Sequence, residues 1–162
     1  TIYEGTTGIQ ALDLVNRKVA SEGGKTMFAA LAQALATAAD LAASGNAGLA
    51  RIGEQLKSAI GLLEAATRWV VETAPKDPRQ VAASAVPYLK LACTVFGGIG
   101  MARAARIAAR RVQEGGEEAR FYRAKLRTAA FYAEHVLPQA HSFAHVVMHG
   151  APATLATDDA LP

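Results

Sequence analysis

The sequence predicts an all-α protein: an antiparallel four-helix bundle preceded by a loop and one short helix. Three observations carry this. Alanine, the strongest helix former, makes up close to a quarter of the 162 residues. Aromatics, which favour strands, are only 6%. Apolar residues recur at spacings of three and four over long stretches, broken by Gly, Pro and Asn punctuation. The composition rules out an all-β fold, and a hydrophobic content of 51% with a net charge of +3 argues against a disordered tail and supplies one real core. The single cysteine, Cys93, rules out an intramolecular disulfide and suits a reducing, cytoplasmic setting.

The elements follow in order. Ile9, Leu12, Val15 and Val19 line one face of the short helix, with Thr6 or Thr7 placed to cap it and Ser21-Glu22-Gly23-Gly24 to end it. A second helix spans about Thr26 to Ala43 and stops at Ser44-Gly45-Asn46. The third carries the stripe Leu49, Ile52, Leu56, Ile60, Leu63 and Val70 and ends before Pro75. Asp77-Pro78 reads as an N-cap followed by proline at the first helical position, opening a fourth helix to about Gln113. Pro87 is expected to kink it, and Gly97, Gly98 and Gly100 to mark close packing against a neighbour. Gly115-Gly116 breaks the chain. Glu117 and Glu118 then open the last long helix, bent at Pro138 and ended by Gly150, with an aperiodic tail. Short connections place consecutive helices antiparallel, giving a bundle over residues 24–150. Val81 to Ala102 is long enough to span a bilayer, but Lys90, Pro87 and three glycines make it a buried bundle helix rather than a membrane span.

The chemistry lies in the first ten residues. Tyr3-Glu4-Gly5-Thr6, then Thr7-Gly8 and Ile9-Gln10, sets a carboxylate on a loop just before a helix, followed by a glycine and hydroxyls. Such a carboxylate can reach a substrate, Gly5 permits close approach to the backbone, and helix-start N–H groups favour anions. This segment, continuing as Ala-Leu-Asp-Leu-Val-Asn-Arg-Lys, resembles the catalytic segment and final helix of the flavin-dependent acyl-CoA dehydrogenases. The rest, including Phe131-Tyr132-Ala133-Glu134 and Leu137-Pro138-Gln139-Ala140, is similar to the extra helical domain of some bacterial members, the branch acting on 3-methylmercaptopropionyl-CoA among them.

The resemblance implies that residues 1–23 are the catalytic loop and last helix of the catalytic domain, and residues 24–162 an added helical domain. It implies Glu4 as the base that removes the α-proton of an acyl-CoA thioester, while the β-hydrogen leaves as hydride to FAD. Gly5 would adjoin the substrate, and Thr6, Thr7 and Gly8 would lie against FAD. The family commonly has Gln or Glu where Gly8 stands, which leaves only backbone contact there. Partners implied are an acyl-CoA, electron-transfer flavoprotein or another electron acceptor, and further subunits. The sequence is expected to be the C-terminal piece of a longer polypeptide, inactive alone. The competing class is a non-catalytic interaction module.

Three further signals have plainer readings beside sharper ones. His141, His145 and His149 share a helix face and could chelate a metal, but no cysteine or carboxylate completes a set, so no metal site is assigned. The arginines between Arg103 and Arg127 could bind nucleic acid; a solvated face partly paired with Glu114, Glu117 and Glu118 is the preferred reading. Cys93 is expected to be a small buried hydrophobe, and Trp69 a core or interface residue.

Overall fold

The structure, a computed structural model, describes residues 6–156. Among those residues the regular elements are all helices, joined by short turns and without a strand. α1 (Thr6–Leu12) runs on through a π-helical stretch, Asp13–Val19, and a 3-10 turn, Ala20–Glu22. Then come α2 (Lys25–Ala42), α3 (Ala47–Thr73), α4 (Pro78–Ala83), α5 (Ala85–Glu114), α6 (Ala119–Phe131), α7 (Gln139–His149) and the short α8 (Ala151–Leu155).

Local chemistry sets the boundaries. Gly23 and Gly24 turn the chain with φ of +62° and +74°, a region that glycine enters without a Cβ penalty. The Asn46 side chain accepts from the Leu49 N–H (3.1 Å), capping α3. Asp77 does the same for α4, accepting from the Arg79 N–H at 3.0 Å with Pro78 at the first turn. The Asp77-Pro78 start agrees with the sequence reading, whereas Asn46, read there as part of the stop of the preceding helix, caps the next one.

The fourth helix is not merely kinked. It divides at Ser84, three residues before Pro87, into α4 and α5. Proline has no N–H for the Ala83 carbonyl and its ring crowds that turn. The chain tightens at Ser84, whose Oγ donates to the Val81 carbonyl at 2.9 Å, before α5 resumes. Pro138 acts differently. The turn before it widens into a π-helix, Tyr132–Val136, with Leu137 N–H donating to the Tyr132 carbonyl, and α7 starts just beyond. The chain after Gly150 also differs from expectation, since Ala151–Leu155 adds one helical segment.

α3 and α5 pack on each other, α2 lies against both, and α6 and α7 do so on their own sides. One core joins them, with Leu31, Leu56, Leu63, Leu91 and Leu137 almost fully buried, and Ala11, Val15 and Val19 tie the N-terminal segment into it. Alanine supplies much of the rest and permits close approach. At Gly53 on α3, an added Cβ would lie 2.5 Å from the Ala38 carbonyl oxygen and 2.8 Å from the Ala42 nitrogen on α2. The glycine cluster of α5 behaves similarly at two of its three positions. Gly97 faces the Tyr132 hydroxyl and Gly98 faces Leu137, whereas Gly100 looks into open space. The notch at Gly97 lets the Tyr132 hydroxyl donate to the Thr94 carbonyl (3.0 Å). α5 is long and apolar enough to cross a membrane, but it is a core helix, with Tyr88, Leu91, Val95, Ile99 and Ala102 buried against its neighbours.

Candidate functional site

Glu4 and Gly5 lie outside the described residues. Thr6, Thr7 and Gly8 form the first turn of α1 and are exposed, and a Cβ built on Gly8 meets nothing within 4 Å. The turn is anchored from behind, because Ala11 and Val15 are fully buried and α1 packs on α5. Further along, Arg17 pairs with Asp13 one turn back, which holds the Asp13 carboxyl below its ordinary range. Leu14, Arg17 and Lys18, together with Met27 from α2 and Phe96 from α5, line an open cavity of about 440 Å³. Periodicity gave no sign of it, because its walls come from three separate elements. The one local signal is Phe96, a large side chain left 42% exposed on a core helix.

Beside that ring, Cys93 corrects an expectation. It is exposed, not buried. The buried stripe of α5 passes through Tyr88, Leu91, Ala92, Val95 and Ile99, and Cys93 falls on the outward side with Lys90, Phe96 and Gly100. An apolar run around a residue does not say which way it points. Trp69 is half-buried against the core.

The interior holds one polar pair. Tyr88, 0% exposed, places its hydroxyl 2.7 Å from Thr67 Oγ1, which in turn donates to the Leu63 carbonyl at 2.7 Å. A carbonyl can only accept, so the Thr67 proton is committed and Tyr88 is the donor. Burial pushes the Tyr88 phenol up to about 12. This pair shapes the fold and reaches no surface.

His141, His145 and His149 are all exposed; the His145 and His149 rings sit 4.9 Å apart, and His135 stacks on Phe131 at 4.5 Å. Among the described residues no three His, Cys, Asp or Glu side chains come together as a metal would require. The arginine-rich region is exposed and partly paired: Arg106 with Asp40 (3.3 Å), and Arg110 and Arg111 with Glu114 (3.5 and 3.2 Å). Glu118 instead accepts from the Tyr122 hydroxyl at 3.3 Å, and no ion pair of Glu117 forms among the described residues.

The described residues thus form an all-helical unit led by an exposed first turn. Sequence comparison shows its family. The profile of the family described as "Acetyl-CoA dehydrogenase C-terminal like" matches residues 12–158, and the chain belongs to that family. Among its relatives is 3-methylmercaptopropionyl-CoA dehydrogenase of Ruegeria pomeroyi, 37% identical over 136 residues, which is 84% of this chain and 23% of that protein. Butyryl-CoA dehydrogenase of Syntrophomonas wolfei subsp. wolfei is 31% identical over 144 residues, 85% of this chain and 23% of that protein. The chain thus spans about a quarter of the length of these relatives.

Proposed function

We propose that the chain is the C-terminal part of a cytoplasmic, oligomeric acyl-CoA dehydrogenase that converts an acyl-CoA thioester to its trans-2-enoyl-CoA. The observation that carries this is the likeness to 3-methylmercaptopropionyl-CoA dehydrogenase along 84% of the chain, joined to the Tyr3-Glu4-Gly5-Thr6 segment immediately before α1. In this reading residues 1–23 close the catalytic domain and residues 24–162 form the added domain. Its long stretches α2, α3, α4–α5 and α6–α7 make an antiparallel four-helix bundle.

Glu4 is the general base. Its carboxylate takes the α-proton, and enclosure by substrate and protein raises its pKa toward working pH, which strengthens it as a base. The charge that develops on the thioester oxygen is met by the Glu4 backbone N–H. Gly5 offers backbone without a side chain to the thioester. The exposed turn of Thr6, Thr7 and Gly8, open around Gly8, fits the polar edge of FAD, to which these residues would offer hydroxyls and backbone. Held there, FAD would supply the acceptor for the β-hydrogen as hydride, with electron-transfer flavoprotein or another acceptor taking up the electrons.

In the longer enzyme, Glu4→Gln is expected to abolish exchange of the substrate α-proton with solvent deuterium while the flavin stays bound. Unchanged exchange refutes the assignment. The 162-residue chain alone is expected to be colourless and inactive; a yellow preparation, or one that reduces a dye with an acyl-CoA, contradicts that part of the reading.

A further inference from the structure

α6 carries an exposed face whose cations are not used in ion pairs and whose Phe131 ring meets only His135 in a ring stack among the described residues. Its sequence, Ala-Arg-Phe-Tyr-Arg-Ala-Lys-Leu-Arg-Thr-Ala-Ala-Phe, has four cations and no carboxylate. Arg120, Arg123, Lys125 and Arg127 are exposed, and none makes an ion pair among the described residues. Two phenylalanines share that outward half-turn, Phe121 at 56% and Phe131 at 58% exposure, while Ala129 is buried on the opposite side. Ten residues separate the rings, about 15 Å along the axis, with most of the positive charge between them. Lys125 Nζ lies 5.2 Å from the Phe121 ring centroid, which keeps that ring on the charged face. The nearby carboxylates are engaged elsewhere or sit before the first turn. Glu114 pairs with Arg110 and Arg111, Glu118 takes the Tyr122 hydroxyl, and Glu134 pairs with Arg51 at 2.8 Å.

We propose that the outer face of α6 docks on an anionic lipid surface, as a peripheral contact rather than a span. A second copy of the face is a poor occupant, because like charges would oppose each other. A nucleic-acid duplex would satisfy the cations but offers no apolar layer for two phenyl rings. The negatively charged leaflet of a bilayer supplies both: surface charge for the four cations, and acyl chains a few ångströms below for the rings. The face carries its exposed rings toward either end, so a deformable surface meets them without preformed pockets. The contact is independent of any catalytic role of the N-terminal segment.

The test is co-sedimentation of the full chain with vesicles of phosphatidylcholine alone or containing phosphatidylglycerol. Binding is expected only to the anionic vesicles, weakening as salt is raised. Each cation near such a surface is worth about a factor of five, so Arg120→Gln with Arg123→Gln is expected to weaken binding about thirtyfold. Both positions are exposed, and an unchanged circular dichroism spectrum verifies the fold. In a Phe121→Trp variant the added indole emission is expected to move to shorter wavelength on binding, which a purely electrostatic contact would not produce. No binding to anionic vesicles, an unaffected double variant, or an unmoved emission would each overturn the proposal. So would tighter binding to duplex DNA than to the vesicles at equal phosphate, which would assign the face to nucleic acid.

Discussion

Replacing Gly53 by alanine adds one methyl group where α3 crosses α2, and the structure fixes its consequence. The new Cβ would meet the Ala38 carbonyl oxygen at 2.5 Å, the Ala42 nitrogen at 2.8 Å and Leu41 Cβ at 3.1 Å, where ordinary contact begins near 3.4 Å. Two of these atoms are helix backbone, so relief requires α2 itself to move out by several tenths of an ångström. Overpacking of this kind costs about 1–3 kcal/mol, and the better helix propensity of alanine returns about 1 kcal/mol at most. The expected net loss is thus up to about 2 kcal/mol. Gly61, on the same helix, is exposed and has nothing within 4 Å of a built Cβ. Gly61→Ala should therefore stabilise by about 0.5–1 kcal/mol. Urea unfolding followed by circular dichroism reads both. In a domain of this size the pair should differ by roughly 5–10 °C in Tm, with opposite signs relative to the parent. If Gly53→Ala proves as stable as Gly61→Ala, the close approach of α2 and α3 is wrong.

Two further expectations concern the buried polar pair. Thr67→Val leaves the Tyr88 hydroxyl buried without an acceptor and should cost about 1–3 kcal/mol, whereas Tyr88→Phe leaves Thr67 bonded to Leu63 and should cost about 1 kcal/mol or less, both by urea denaturation. The same phenol gives a pH dependence: it ionises near 10 in the unfolded chain and near 12 in the folded one. Above pH 10 the unfolded chain sheds the proton that the folded chain keeps. This stability is thus whole below pH 10 and falls by roughly 2–3 kcal/mol as pH rises through 12. Tyr88→Phe should flatten that fall relative to the parent, and parallel alkaline curves would refute the assignment.

Much of the helix pattern was legible because the punctuation is chemically specific. Asn46, Asp77-Pro78, Gly23-Gly24 and Gly115-Gly116 each do something a helix end requires, and each sits at one. The two internal prolines were legible as disturbances but not in kind. Pro87 splits its helix and Pro138 widens its own into a π-turn, and the outcome depends on what the freed carbonyls find nearby. Cys93 was misread because hydrophobic neighbours in sequence are not neighbours in space on a helix with several faces in use. Of the predicted site, Thr6, Thr7 and Gly8 form the exposed first turn of α1, and Glu4 and Gly5 lie outside the described residues. The cavity beside Phe96 was not legible, since no local pattern records three elements converging.

The alanine surfaces carry a consequence for uniqueness. A smooth, repetitive helix face looks much the same one turn further along, so such helices could slide past one another at small penalty. What forbids slippage is a handful of asymmetric keys. Tyr132 reaches through the gap at Gly97 to the Thr94 carbonyl, and Leu137 seats at Gly98. Shifted by a turn, the phenol would meet the side chain of Cys93 or Met101 in place of a glycine. The lengthwise registration of the whole assembly therefore rests on a few glycines and one tyrosine, not on the abundant residue that fills the interior.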